Sequence, residues 1–153
     1  MPRLRPVSPL DAHLGYWLRS VSNHVSHAFS QKVAARDITV AEWVLLRQLY
    51  EHQHMAPSRL ADDMHMTRGA ISKLIDRLSA KALVKRSQVK EDRRCQDVAL
   101  TAAGRALVPK LAALADTNDE EFFGHLKSNE RATIQKFLKD IVRRAGITDV
   151  PVD

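Results

Sequence analysis

Residues 57–100 read PSRLADDMHMTRGAISKLIDRLSAKALVKRSQVKEDRRCQDVAL, and the punctuation of this stretch decides the fold. Pro57 suits the first turn of a helix, where no amide donor is needed, and Leu60, Ala61 and Met64 supply a short apolar face over 57–64. Thr67 is placed to cap a second helix, Thr67 to Lys81, whose inner face is Ile71, Leu74, Ile75 and Leu78. Two short helices joined by so tight a turn spell a helix-turn-helix. Leu83 to Gln88 and Asp97 to Leu100 then form β-compatible segments on either side of the charged stretch Val89 to Gln96. That pattern predicts a hairpin with a basic tip, a wing.

Working outward, Leu10, Leu14, Leu18, Val21, Val25, Phe29 and Val33 recur at three- and four-residue steps and predict a helix over about 10–35. Thr39 followed by Glu42 is a capping-box pattern, so the next helix starts near Val40 and carries Trp43, Val44, Leu46 and Leu49 inward to about Glu51. On the other side, Thr101 caps a helix bearing Leu107, Leu111, Leu114 and Phe122, and Ile134, Phe137, Leu138 and Ile141 mark a last helix ending near Gly146. The outer helices carry more apolar surface than one small lobe can cover, which points to a homodimer. The expected architecture is mainly α, one domain over 1–153: a winged helix-turn-helix lobe at 39–100 with a two-stranded β wing, and N- and C-terminal dimerisation helices at 10–36 and 101–146.

The 153 residues have a formal net charge of +6. Between Met55 and Cys95 ten Lys or Arg stand against five Asp or Glu, so nearly all the excess lies in the helix-turn-helix and wing. A basic block in that position fits duplex DNA. The lone Cys95 makes no internal disulfide, and no apolar run is long enough to span a bilayer, so a cytoplasmic protein without a membrane partner is expected. A Gly-rich phosphate loop, an HExxH helix and a nucleophile elbow are all missing from the sequence, and no enzyme chemistry or cofactor is expected.

On the second helix of the pair, Thr67, Arg68, Gly69, Ser72 and Lys73 share the leading polar face, with Arg77 further along as a phosphate contact. Arg or Lys donates to guanine, hydroxyls bond bases or phosphates, and glycine allows close backbone approach. A solvated helix face would look the same. The wing favours the DNA reading, because Lys85, Arg86, Lys90, Arg93 and Arg94 crowd into ten residues and a guanidinium at a hairpin tip suits the minor groove. Asp92 is spaced to orient Arg94.

The runs Leu-Val-Lys-Arg (83–86), Glu-Asp-Arg-Arg (91–94) and Leu-Thr-Ala-Ala-Gly (100–104), together with the order of elements over about 10–145, resemble the MarR (multiple antibiotic resistance regulator) family. The resemblance implies a winged-helix dimer joined through its terminal helices, binding a pseudo-palindromic operator as a repressor released by a small aromatic effector. It also implies that Asp92 and Arg94 are the family's Asp-x-Arg wing motif, with Arg94 in the minor groove. Two features depart from the family. Ala82 stands where many members have glycine, a strained choice if its φ is positive, and redox-sensing members carry a cysteine in the first helix that this chain lacks.

A stripe of His13, Trp17, Ser20 and His24 beside the apolar face of the first helix offers stacking and hydrogen-bonding groups for such an effector, and serves equally as dimer packing. His24 with His27, and Glu51 with His52 and His54, raise a metal-responsive alternative, but neither group has a full ligand set and no metal site is assigned. An architectural DNA binder without effector control is the other alternative.

Overall fold

Threonine hydroxyls cap the helices that start at Val40, Arg68 and Ala102 in the computed structural model, which describes residues 5–88 and 96–153. The chain forms a 3-10 turn Leu10–Ala12, then α1 (Leu14–Ala34), α2 (Val40–Tyr50), α3 (Pro57–Met64), α4 (Arg68–Ala80), β1 (Val84–Gln88), β2 (Gln96–Leu100), α5 (Ala102–Phe123) and α6 (Ser128–Ala145). The Thr39 hydroxyl accepts the Glu42 amide at 3.1 Å while the Glu42 carboxylate accepts the Thr39 amide at 2.9 Å, completing the capping box. Thr67 and Thr101 accept the amides of Ala70 and Gly104, both at 3.1 Å. The fold is the expected one, mostly helical with a two-stranded antiparallel sheet.

Four of the helix ends follow one rule. After α1, α3, α4 and α6 a residue turns left-handed, and the next amide reaches back to a carbonyl five residues earlier: Ile38 to Val33, Met66 to Ala61, Leu83 to Leu78 and Ile147 to Val142. Each pair is also apolar, which is the side-chain contact that accompanies this type of helix stop. Only the last uses glycine, Gly146. The other three left-handed residues are Asp37, His65 and Ala82, with φ of 58°, 49° and 58°. Ala82 therefore does hold the positive φ that its departure from glycine puts in question. Because the Leu83 amide is committed to Leu78, β1 begins at Val84 rather than at Leu83.

Three details differ from the expectation. The first helix is not continuous from residue 10: His13 is extended (φ −92°, ψ 128°) between the 3-10 turn and α1, and the Trp17 indole pins the break by donating to the Asp11 carbonyl at 2.8 Å. A three- or four-residue apolar step cannot distinguish a helix from a turn leading into one. In α2 the fully buried apolar side chains are Leu45, Leu46 and Leu49, with Trp43 and Val44 only half-buried. Met55 exchanges two 2.8 Å backbone hydrogen bonds with Val98 and so adds a one-residue third strand to the sheet.

The core lies in the central lobe. Leu45, Leu46 and Leu49 of α2 pack with Leu60 and Met64 of α3, Ile71, Leu74, Ile75 and Leu78 of α4, Val84, Val98 and Leu100 of the strands, and Val108 and Leu111 of α5. By contrast α6 buries no residue, and the N-terminal half of α1 is exposed on every side.

One polar contact runs through this lobe. Glu42 is 1% exposed, and its carboxylate accepts Lys81 Nζ at 3.1 and 3.3 Å. Lys81, the residue that closes α4, also donates to the Asp37 carbonyl at 2.5 Å. Burial opposes ionisation of Glu42, but the Thr39 amide, the Lys81 ammonium and the Thr39 hydroxyl together outweigh it and hold the carboxyl below the usual carboxylate range.

These observations generate three stability predictions, all readable by denaturant melts. Ala82→Gly should stabilise by about 0.5–1 kcal/mol, because relief of the left-handed strain exceeds the extra freedom of the unfolded chain. Gly104→Ala should destabilise by about 1–3 kcal/mol, because a Cβ there would lie 2.1 Å from the Leu83 carbonyl oxygen. The third concerns pH. With its folded pKa depressed, the stabilisation from Glu42 is present above the unfolded carboxylate pKa of about 4.3 and is lost as pH falls through the lower folded value. Glu42→Gln should therefore cost about 1–3 kcal/mol at pH 7 and flatten the acid limb of the stability curve below about pH 4.3. An acid limb unchanged in this variant would remove Glu42 from the account.

Candidate nucleic-acid interface

The helix-turn-helix closes over residues 65–67, where left-handed His65 ends α3 and Thr67 starts α4. With Ile71, Leu74, Ile75 and Leu78 buried, the 3.6-residue period turns Arg68, Gly69, Ser72, Lys73, Asp76 and Arg77 outward, and all six are exposed. Arg68 and Ser72 lie one turn apart, as do Gly69 and Lys73. Thr67 sits at the leading end of this face, but its hydroxyl lone pair is taken by the Ala70 amide, which leaves its O–H as the group free to donate outward.

Asp76 is the residue on this face that sequence reasoning missed. Its carboxylate accepts Arg86 of β1 at 2.8 Å, joining the outward helix to the wing strand and partly neutralising a negative charge among the donors. Nothing in the sequence marks a partner ten residues away across a turn; periodicity alone would have put Asp76 on the polar face. Strand geometry also separates two residues that the sequence groups together. Successive side chains in β1 alternate, so Arg86 points to the face that α4 covers while Lys85 projects to the other. Lys90, Asp92, Arg93 and Arg94, and Cys95 beside them, lie outside the described residues.

The base of the wing is tied to the helix-turn-helix on its other edge. His54 pairs with the Asp97 carboxylate of β2, next to the Met55–Val98 bridge. His54 is thus engaged by a strand. Among the described residues, no group of three or more His, Cys, Asp or Glu is placed to hold a metal ion. No described helix is long and apolar enough to cross a membrane.

The stripe on α1 divides. His13 and Ser20 line one open groove of about 530 Å³ with Leu10, Gly15, Tyr16, Arg19 and Asn23. Trp17 stands outside it, its ring edge-on to Tyr16 at 5.2 Å, and the His24 ring turns back to the Ser20 carbonyl at 2.7 Å. Arg19, which sequence reasoning did not single out, brings the groove a guanidinium.

Comparison with known proteins agrees with this geometry. The MarR family model matches residues 38–96, from just before α2 to the first residue of β2. Over 148 residues the chain is 26% identical to the HTH-type transcriptional regulator PrsX of Escherichia coli, covering 95% of this chain and 88% of that protein. The HTH-type transcriptional repressor NicR of Pseudomonas putida is 27% identical over 137 residues, covering 88% and 87%. Among solved structures, a cysteine-to-serine mutant of MarR from Escherichia coli complexed with operator DNA superposes with a TM-score of 0.73 at 25% identity, covering 84% of this chain and 93% of that one. Bordetella bronchiseptica BpsR, solved in a study of how 6-hydroxynicotinic acid regulates its DNA binding, gives 0.74 at 26% identity over 89% and 97% of the two chains. With six α-helices and a two-stranded hairpin among the described residues, in the same order, the chain is similar to winged helix-turn-helix transcriptional regulators of the MarR family, whose model it matches over residues 38–96.

Proposed function

We propose that this regulator works in the cytoplasm as a homodimeric, sequence-specific repressor that grips a pseudo-palindromic operator and lets go when a small aromatic compound binds. The observation that carries the reading is the contrast between a fully packed winged lobe and terminal helices whose apolar side chains are uncovered. Leu14 is 79% exposed and Phe137 59%, with Leu10, Leu18, Val21, Ile134, Leu138, Ile141 and Val142 also open to solvent. Monomeric proteins rarely leave so much contiguous apolar surface wet, and a two-fold partner covers it. Residues 1–153 then act as one domain, with 39–100 docking on DNA and 10–36 and 101–146 joining the subunits.

In this scheme Arg68, Ser72 and Lys73 reach base edges in the major groove and Gly69 lets the helix come close. Thr67, Arg77, Lys85 and Arg86 position the lobe on phosphates, and the wing residues Lys90, Asp92, Arg93 and Arg94 address the minor groove. His13, Trp17, Ser20 and His24 line or flank the effector site. The repressor name of NicR and the effector named for BpsR favour release by an aromatic acid, and Arg19 in the α1 groove suits a carboxylate. A ligand that favours one separation of the two lobes over another would change the spacing of both recognition helices.

Selection from a random duplex pool tests the reading. It should return an inverted repeat with half-site centres about 10 base pairs apart. Arg68→Ala should relax preference at one position per half-site at a cost of about 1–3 kcal/mol, while Arg77→Ala should weaken all duplexes alike and lower the salt slope by about 1. Equal affinity for every duplex would favour an architectural binder, and a monomer at micromolar concentration that gains no mass on DNA would overturn the dimer. Titrating hydroxylated aromatic acids into the selected complex should release it, and Trp17→Ala or His13→Ala should blunt that release without weakening DNA binding.

A further inference from the structure

We propose that Gly69 is a specificity-determining residue: the bare backbone it leaves on α4 is a notch that seats the C5-methyl group of a thymine in the major groove. The inference rests on the docking of α4 into DNA and adds what that helix reads.

Glycine at a helical position needs a reason, because it is the least favourable residue there apart from proline. The chain's glycines show what such reasons look like. Gly146 has a φ of 62°, which strains any other residue, and at Gly104 a Cβ would strike the Leu83 carbonyl. Gly69 has neither reason. It keeps right-handed helical backbone within α4, and a Cβ built there meets nothing within 4 Å. Neither the fold of α4 nor its packing asks for glycine at 69.

What remains is a requirement from outside the molecule. Gly69 lies on the outward face of α4, opposite the buried row Ile71, Leu74, Ile75 and Leu78, and one turn before Lys73. Gly15, the other helical glycine with open space around it, likewise sits on an uncovered face, in α1. Arg68, Ser72 and Lys73 surround position 69 with donors, whereas the notch itself presents no polar side chain. A group that fills it without losing a hydrogen bond is small and apolar. Along the major-groove edges of the four base pairs, the thymine methyl is the group of that kind; the other groups that distinguish the bases there are hydrogen-bond donors and acceptors. An alanine at 69 would put its own methyl where the thymine's must go.

The test uses the full chain and its Gly69→Ala variant on a duplex selected by the wild-type protein from a random pool, on the same duplex with each thymine replaced in turn by deoxyuridine, and on an unrelated duplex. Gly69→Ala should melt no lower than wild type. It should lose about tenfold or more in affinity for the selected duplex and stay within about twofold of wild type on the unrelated one. At one position per half-site, deoxyuridine should weaken the wild type and restore the variant to near wild-type affinity, since removing one methyl makes room for the other. Unchanged affinity of Gly69→Ala for the selected duplex overturns the proposal. So does an equal loss on both duplexes, which would mean that glycine admits a phosphate, and so does a deoxyuridine series with no restoring position. A wild-type chain that selects no duplex refutes the DNA docking of α4 instead.

Discussion

A buried carboxylate holds the DNA-binding lobe in register. Glu42 begins α2, and its two oxygens serve the amide of Thr39 in front of it and the ammonium of Lys81 at the far end of α4. Lys81 in turn reaches the carbonyl of Asp37, in the left-handed turn where α1 gives way to α2. Three chain segments thus meet at one charge pair. An unpaired buried charge is costly and a paired one must keep its geometry, so the angle of α4 is tied to the point where α1 enters the lobe. The packing of Leu45, Leu49, Ile75 and Leu78 supplies the larger share of cohesion. Apolar contact is non-directional, however, and the ion pair is what prefers one orientation of these helices.

The parts of this fold legible in sequence are those whose cause is local. Thr39, Thr67 and Thr101 each cap an amide three residues on, so the start of each helix can be read within one turn of chain. Pro57 and the apolar periodicities are equally local. The missed features all pair residues that are distant in sequence or lack a distinctive pattern. Lys81 finds Glu42 across 39 positions, Met55 finds Val98 as a strand one residue long, and the break at His13 is held by an indole reaching a backbone carbonyl. The helix stops at Asp37, His65 and Ala82 are intermediate. The apolar residue after each, Ile38, Met66 and Leu83, is a readable signal, but without a glycine it does not announce itself.

The same division runs through the candidate interface. The outward face of α4 follows from period alone once the buried row is identified. The basic residues of the wing strand do not, because composition groups Lys85 with Arg86 while the pleat sends them to opposite sides and Asp76 claims one of them. Charge counts describe a region; the backbone decides which charges share a surface. On α1 the apolar and polar stripes are both visible in sequence, yet the N-terminal half of that helix is exposed on every side, so packing within its own chain does not sort one stripe from the other.

The single-residue strand at Met55 has a consequence for how such a protein would release DNA. Its two hydrogen bonds to Val98, with the His54–Asp97 pair beside them and the Arg86–Asp76 pair on the opposite edge, tie the root of the hairpin to the α2–α3 loop on one flank and to α4 on the other. α4 and the wing root are therefore coupled by direct contacts. In the docking proposed for α4, a rotation that lifted the helix from its groove would carry the wing root with it, as a single lever rather than as independent fingers.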